Sequence, residues 1–331
     1  MASSVEIRLA AALKDDPGEL EYEALQHRTS GALIYPTRAL ASWRAVRLAR
    51  EGHYTGIFGA FFCEFSAFAH ELLRTCGMDP LLVDSRERRL MVQNCLEETL
   101  REAGETAGIQ IRETGIAGLA FQLLDAITAL KQAGIPPETF EERIGNDMPV
   151  DRLVLEVYRR YQQKLVEAGA CDVPGLYWLA EKQVRTRGED ALGEIRYLYL
   201  DGFEDFTPSQ IRFLKAMVPY LERTVIRLHY DVRAERGGLF LLQQRCLESL
   251  RLLEAESVSV RVTEEKPNPP KTWGQWLASW FGSRVPPEEA EYDQRKASLK
   301  RNIHLLPSVD VYDEADRIAR DVRLRVIEQG E

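Results

Sequence analysis

Three carboxylates crowd the end of one apolar run. In "YLYLDGFEDFTPSQ", Tyr197 to Gln210, a tyrosine- and leucine-rich run leads into Asp201, and Glu204 and Asp205 follow closely. Open parallel α/β sheets place their ligands at the carboxyl ends of the strands, where a carboxylate can ligate the magnesium of a nucleotide. An aspartate in that position serves equally well as a turn residue or as a cap for the next helix, so Asp201 alone does not decide the matter.

A nucleotide site needs a second half. Backbone N–H groups of a glycine-rich loop after the first strand must cradle the phosphates, with a lysine reaching the terminal ones, in the pattern GxxxxGK[ST]. The chain reads "AAALKDDPGELEYEALQH" there, with Lys14 but no glycine ahead of it in the loop. Asp15, Asp16, Glu19, Glu21 and Glu23 bring negative charge to the place where phosphate belongs, and poorly hydrated like charges repel strongly. The expectation is a degenerate nucleotide site composed of Lys14, Asp15, Asp201, Gly202, Glu204 and Asp205, with no catalytic residue and no metal.

The elements that would position these residues are readable from texture. "VEIRLA" (Val5 to Ala10), "GALIYP" (Gly31 to Pro36), "IRYLYLD" (Ile195 to Asp201) and "TVIRLHYD" (Thr224 to Asp231) read as strands. The first three are nearly continuous in apolar character, as parallel strands covered on both faces are. "TRALASWRAVRLAREG" reads as a helix burying Ala39, Trp43, Val46 and Ala49, and "TPSQIRFLKAMVPYLE" as one capped by Thr207 with Pro208 in its first turn. Between Ser85 and Gly193 three amphipathic helices, each closed by glycine, leave almost nothing strand-like. The fold expected is α/β, a parallel P-loop-NTPase-like sheet with an inserted all-helical subdomain. Its parts are residues 1–84 with 194–300 as the α/β domain, 85–193 as the helical insertion, and 301–331 as the start of a second domain. A strand and helix that stop at Glu331 read as part of something longer.

With 45% hydrophobic residues the 331-residue chain can bury a large core, and a net charge of −9 argues against wholesale electrostatic binding to nucleic acid or anionic membrane. Any nucleic-acid contact has to be local. Cys63, Cys76, Cys95, Cys171 and Cys246 are odd in number and lack metal-ligand spacing, which fits reduced thiols in the cytoplasm. No stretch is apolar enough for a membrane span.

The order of these features, with "LIYPTRALASW", "FFCEFSAFAHELLRTCG" and "LYLDGFEDFTPSQIRFLKAM" flanking the helical insertion, resembles the N-terminal region of AddB-type subunits of bacterial helicase-nuclease complexes, relatives of UvrD-like superfamily 1 helicases. The resemblance implies a helicase 1A-like sheet with a 1B-like insertion. Active relatives carry "DEFQDTSPLQ" where this chain has Asp201 to Gln210, so Gly202 replaces the glutamate that activates water. The phosphate loop is also degenerate, and "TVIRLHYD" lacks the Asp and Gln of the γ-phosphate sensor. Losing binding, metal activation and sensing together implies a fold that no longer hydrolyses ATP. The chain then reads as a scaffold of a complex that processes DNA double-strand breaks for recombinational repair, with DNA and an AddA-like helicase-nuclease subunit as partners. A divergent active ATPase and a protein-interaction module without DNA binding are the alternatives. The resemblance implies no cofactor in this chain; nuclease magnesium and an iron–sulfur cluster would belong to a part of the parent beyond residue 331.

It also marks Thr37, Arg38, Phe65 and Ser66 as DNA-binding candidates. Arg38 and Thr37 could meet phosphate and Phe65 could stack on a base, although core packing is the plainer reading of Phe65 and Glu64 repels a phosphate backbone. Arg44, Arg47 and Arg50, like Arg86 and Arg89, lie at helical spacing and read as solvated faces. Trp273, Trp276, Trp280 and Phe281 fit an amphipathic helix packed on the body, and His229 has no placeable nucleophile beside it.

Overall fold

Apolar runs punctuated by capped helices fold here into one parallel sheet covered on both faces. A computed structural model describes residues 3–10, 19–27, 29–51, 61–103, 115–144, 149–230, 240–264 and 307–324. The chain divides into two compact units, residues 1–232 with 240–267 and residues 233–239 with 268–331. In the second unit one helix is described, α11 (Val311–Arg323), capped by the Asp310 carboxylate accepting from the Asp313 N–H at 2.8 Å. The tryptophan-rich segment at 273–280, Lys14 and Asp15 lie outside the described residues.

The first unit holds β1 (Ser3–Ala10), α1 (Glu19–Gln26), β2 (Gly31–Tyr35), α2 (Arg38–Glu51), β3 (Phe61–Glu64), α3 (Phe65–Thr75), β4 (Leu81–Leu82), α4 (Ser85–Ala103), α5 (Ile116–Gln132), α6 (Pro137–Glu141), α7 (Pro149–Glu167), β5 (Ala170–Cys171), α8 (Val173–Arg187), β6 (Tyr197–Phe203), α9 (Pro208–Met217), β7 (Arg223–His229), α10 (Leu241–Arg251) and β8 (Val258–Glu264). The six-stranded sheet runs β3-β2-β6-β7-β1-β8, every pair parallel, while β4 and β5 form a separate two-stranded ribbon. Leu20 and Ala24 of α1 and Ala41 of α2 bury against one face; Phe65, Phe68, Leu176, Phe213 and Leu247 of α3, α8, α9 and α10 bury against the other. Connections leaving the sheet centre in opposite directions must lie on opposite faces if each crossover is right-handed, which accounts for the division.

β2 is buried throughout, as its continuous apolar sequence requires. β1 departs from expectation. Its burial alternates, because Glu6 and Arg8 point toward α1 and are half-buried among other charges. Strands β3 and β8 are concealed in the sequence, the first by its direct run into α3, the second by its half-exposed edge position.

α4, α5 and α7 form a core of their own around Val92, Leu96, Ile127, Val157 and Tyr158, whereas Leu176, Tyr177, Ala180 and Val184 of α8 bury with the sheet. The glycines expected to close helices do so with left-handed backbone at Gly134 and Gly169, φ 73° and 60°. Among the described residues, no helix is long and apolar enough to cross a membrane.

Candidate functional site

β6 delivers Asp201 to the carboxyl edge of the sheet, directly opposite Arg227 of β7 in the strand register. The carboxylate is 1% exposed and Arg227 5%. Arg227 donates from Nε to Oδ1 and from Nη2 to Oδ2, both at 2.7 Å, a two-pronged charge-assisted pair. Glu21 of α1, fully buried, lies with its Oε1 3.5 Å from Arg227 Nη2 and 3.8 Å from Arg44 Nη1. Arg44 Nη2 is also 4.0 Å from Asp201 Oδ2, and the Tyr35 hydroxyl donates to Glu21 at 3.5 Å. Among the described residues, two carboxylates thus face two guanidiniums. Burial pushes the Glu21 carboxyl up from its ordinary pKa, with Arg227 opposing the shift. Burial, then the charges of Glu21 and Asp201, drive the Tyr35 phenol upward too.

This arrangement corrects two expectations. Arg44 is not on a solvated face; with Ala41 and Leu48 it forms the buried stripe of α2, and Trp43 and Val46 point outward, 49% and 51% exposed. Glu21 and Glu23, expected to bring bare negative charge, are each held by arginines of the sheet and α2. Glu23 accepts from Arg8 at 2.9 Å and pairs with Arg223 at 2.5 Å, while Arg223 also reaches Glu6 at 2.7 Å. Sequence reasoning misses Arg227. Its signal is a lone arginine inside the apolar run "TVIRLH", which demands a buried carboxylate.

Past Asp201 the strand bulges. The β6–β7 register shifts between Asp201 and Phe203, and Gly202 carries the break with φ 78°. A Cβ on Gly202 would lie 3.0 Å from Leu40 Cδ2 of α2. The bulge sends Phe203 into the opposite core, where its ring stacks on Phe206 with centroids 4.6 Å apart, and leaves Glu204 and Asp205 exposed. Asp205 accepts from the Phe206 N–H at 2.7 Å. Among the described residues, no three His, Cys, Asp or Glu side chains gather as a metal group. Thr207 and Gln210 then form a reciprocal capping box on α9, with Pro208 in its first turn.

The neighbouring strand ends bring three of the DNA candidates together. Thr37 accepts from the Leu40 N–H at 3.2 Å, and Glu64 accepts from both the Arg38 N–H at 3.1 Å and the Ser66 hydroxyl at 2.7 Å. Glu64 therefore ties the starts of α2 and α3 to each other. Thr37 and Arg38 are exposed. Phe65 follows the core-packing reading and not the base-stacking one: it is 2% exposed, with Tyr177, Phe213, Phe203 and Phe206 at centroid distances of 5.3, 5.7, 6.1 and 6.4 Å. Aromatic packing occupies the faces a base would need. His229 likewise meets Phe240 edge-on at 5.8 Å. All five cysteines are free, and burial pushes the Cys63 and Cys246 thiols up to about 12.

Fold and site together define a doubly wound parallel α/β protein of P-loop-like architecture whose strand-end carboxylate is held by arginine. The family model for AddB, N-terminal, matches residues 44–278, more than two thirds of the chain, and the protein belongs to that family. No curated protein sequence matches it.

Proposed function

We propose that this chain is an ATPase-inactive, helicase-like scaffold within the AddB-type subunit of a helicase-nuclease complex that processes DNA double-strand breaks, contacting DNA and an AddA-like motor subunit. The observation that carries the reading is the Arg227–Asp201 pair. Magnesium activation needs a strand-end carboxylate facing solvent and nucleotide, whereas here both carboxylate oxygens are occupied by a guanidinium from the adjacent strand. Breaking a buried pair by withdrawing one partner costs about 3–5 kcal/mol, so a metal would have to displace an interaction already made. The position next to Asp201 is a glycine in left-handed backbone, which leaves no carboxylate at that position to activate water. For DNA, the exposed Arg38 and Thr37 at the carboxyl edge of the sheet are the supporting feature, joined by Ser66 through Glu64.

Calorimetric titration of magnesium-ATP into the purified protein tests the inactive reading. No saturable heat is expected at millimolar nucleotide. A micromolar affinity that disappears in Asp201→Asn would replace this reading with that of a divergent working ATPase.

A further inference from the structure

The outward face of α2 has no task in the packing described so far. Ala41, Arg44 and Leu48 supply the buried stripe, and Ala39, Ser42, Trp43, Val46 and Arg50 run along the exposed side. An indole half in water on a regular helix forgoes burial that the core could have used. Its setting is specific. The Arg47 and Arg44 guanidinium carbons lie 5.1 and 5.2 Å from the Trp43 ring, so the indole is held among cationic side chains. Ala39 and Ser42 contribute only short side chains to the same exposed side, so nothing bulky from them competes for the ring.

Charge narrows the kind of partner. On a chain of net charge −9, α2 carries Arg38, Arg44, Arg47 and Arg50 with Glu51 as its one acidic residue. Arg44 turns inward to within 4.0 Å of Glu21 and Asp201, while Arg38 and Arg50 are exposed to solvent. Arg38 and Arg50, both exposed, stand twelve residues apart, about 18 Å along a helix, with Trp43 between them. A flat aromatic surface between two cations fits a ligand that offers flat rings on an anionic backbone. Duplex DNA keeps its bases stacked inside; a single strand does not.

We propose that the outward face of α2 is a single-strand platform, with Trp43 stacking on a base and Arg38 and Arg50 meeting flanking phosphates. This rests on the reading of the chain as a DNA-contacting scaffold, and extends it from the strand-end loop to the face of the helix that follows. The orientation of Trp43 by Arg47 sets the ring before the strand arrives.

Fluorescence anisotropy of a labelled dT oligonucleotide at low salt, with duplex of equal length as the comparison, tests the assignment on the wild type and on Trp43→Ala, Trp43→Phe, Arg50→Ala and Arg38→Ala. The Trp43→Ala affinity should fall roughly 5- to 150-fold, the equivalent of about 1–3 kcal/mol for one stacked base, with Trp43→Phe between it and the wild type. Arg50→Ala should lower the slope of log affinity against log salt by about 0.7, one phosphate of a single strand. Unchanged binding in Trp43→Ala beside weakened binding in Arg38→Ala overturns the platform and leaves the DNA reading standing. Failure of the wild type to bind the oligonucleotide overturns both. Equal, Trp43-dependent affinity for duplex overturns the single-strand assignment. Trp43 is exposed, so an unchanged melting curve for Trp43→Ala is expected, and a lowered one would overturn the claim that the core does not use it.

Discussion

Arg227 and Asp201 sit on different strands, face each other in register, and are both buried. Each is the other's nearest ionic partner, at 2.7 Å, against 3.5 Å from Arg227 to Glu21 and 4.0 Å from Asp201 to Arg44. Arg227→Leu should therefore destabilise the fold by about 3–5 kcal/mol, measured as a shift in denaturant midpoint, because it strands the Asp201 charge against a cluster with one guanidinium fewer. Adding Asp201→Leu should recover most of that loss, since a matched apolar pair needs no desolvation; a double variant as unstable as the single would show that the pair is held by something other than charge. The sequence makes Asp201 visible and leaves its partner hidden, because register between strands separated by a whole helix is not a local property. Trp43 is misleading for a related reason. Counting apolar residues favours turning it inward, but buried Glu21 and Asp201 require Arg44 on the inner face, and the helix can present only one side.

The bulge in β6 makes Gly202 a structural requirement. Left-handed backbone costs a non-glycine residue about 1–3 kcal/mol, and the approach of Leu40 at 3.0 Å adds crowding. Gly202→Ala should lower stability by that order in chemical denaturation. Gly202→Glu should do at least as much damage and confer no ATP turnover; a stable, hydrolysing variant would show that the strand end can still be rebuilt. The sequence shows a glycine beside Asp201, and only the backbone shows why a larger residue there is costly. β2 and β6 are legible because buried parallel strands leave nearly continuous apolar runs, β7 because its run is broken only by Arg227, and the α9 cap because Thr207 and Pro208 are local signals. β3 and β8 are not, since a strand that merges with a helix or lies half-exposed on an edge leaves no such run.

Over the whole sheet, the face beneath α1 is a layer of alternating charge rather than a purely oily contact, and that layer should govern the response to acid. Burial works against ionisation of Glu6, yet hydrogen bonds from Arg8 and Arg223 outweigh it and bring its pKa from 4.5 to about 2. A depressed carboxyl pKa contributes stability that is present above 4.5 and is lost as pH falls toward 2. Glu21, shifted the other way by burial, contributes with the opposite sign. Glu6→Gln should therefore flatten the fall in melting temperature between pH 4.5 and 2; a profile parallel to the wild type would remove Glu6 from the account. The helical texture of α4, α5 and α7 is legible from periodicity, while α8's burial with the sheet is not, because both its neighbours supply apolar partners. The strand order has one more consequence, for the growing chain. β1 is made well before either of its neighbours, since Ser4 pairs with Arg223 and Ser3 with Val258. At about 5–20 residues per second, its two neighbours leave the ribosome roughly ten seconds or more after it does. Until then an alternating strand with two open edges has to be kept from other partners, so the sheet can close only after β7 and β8 have emerged.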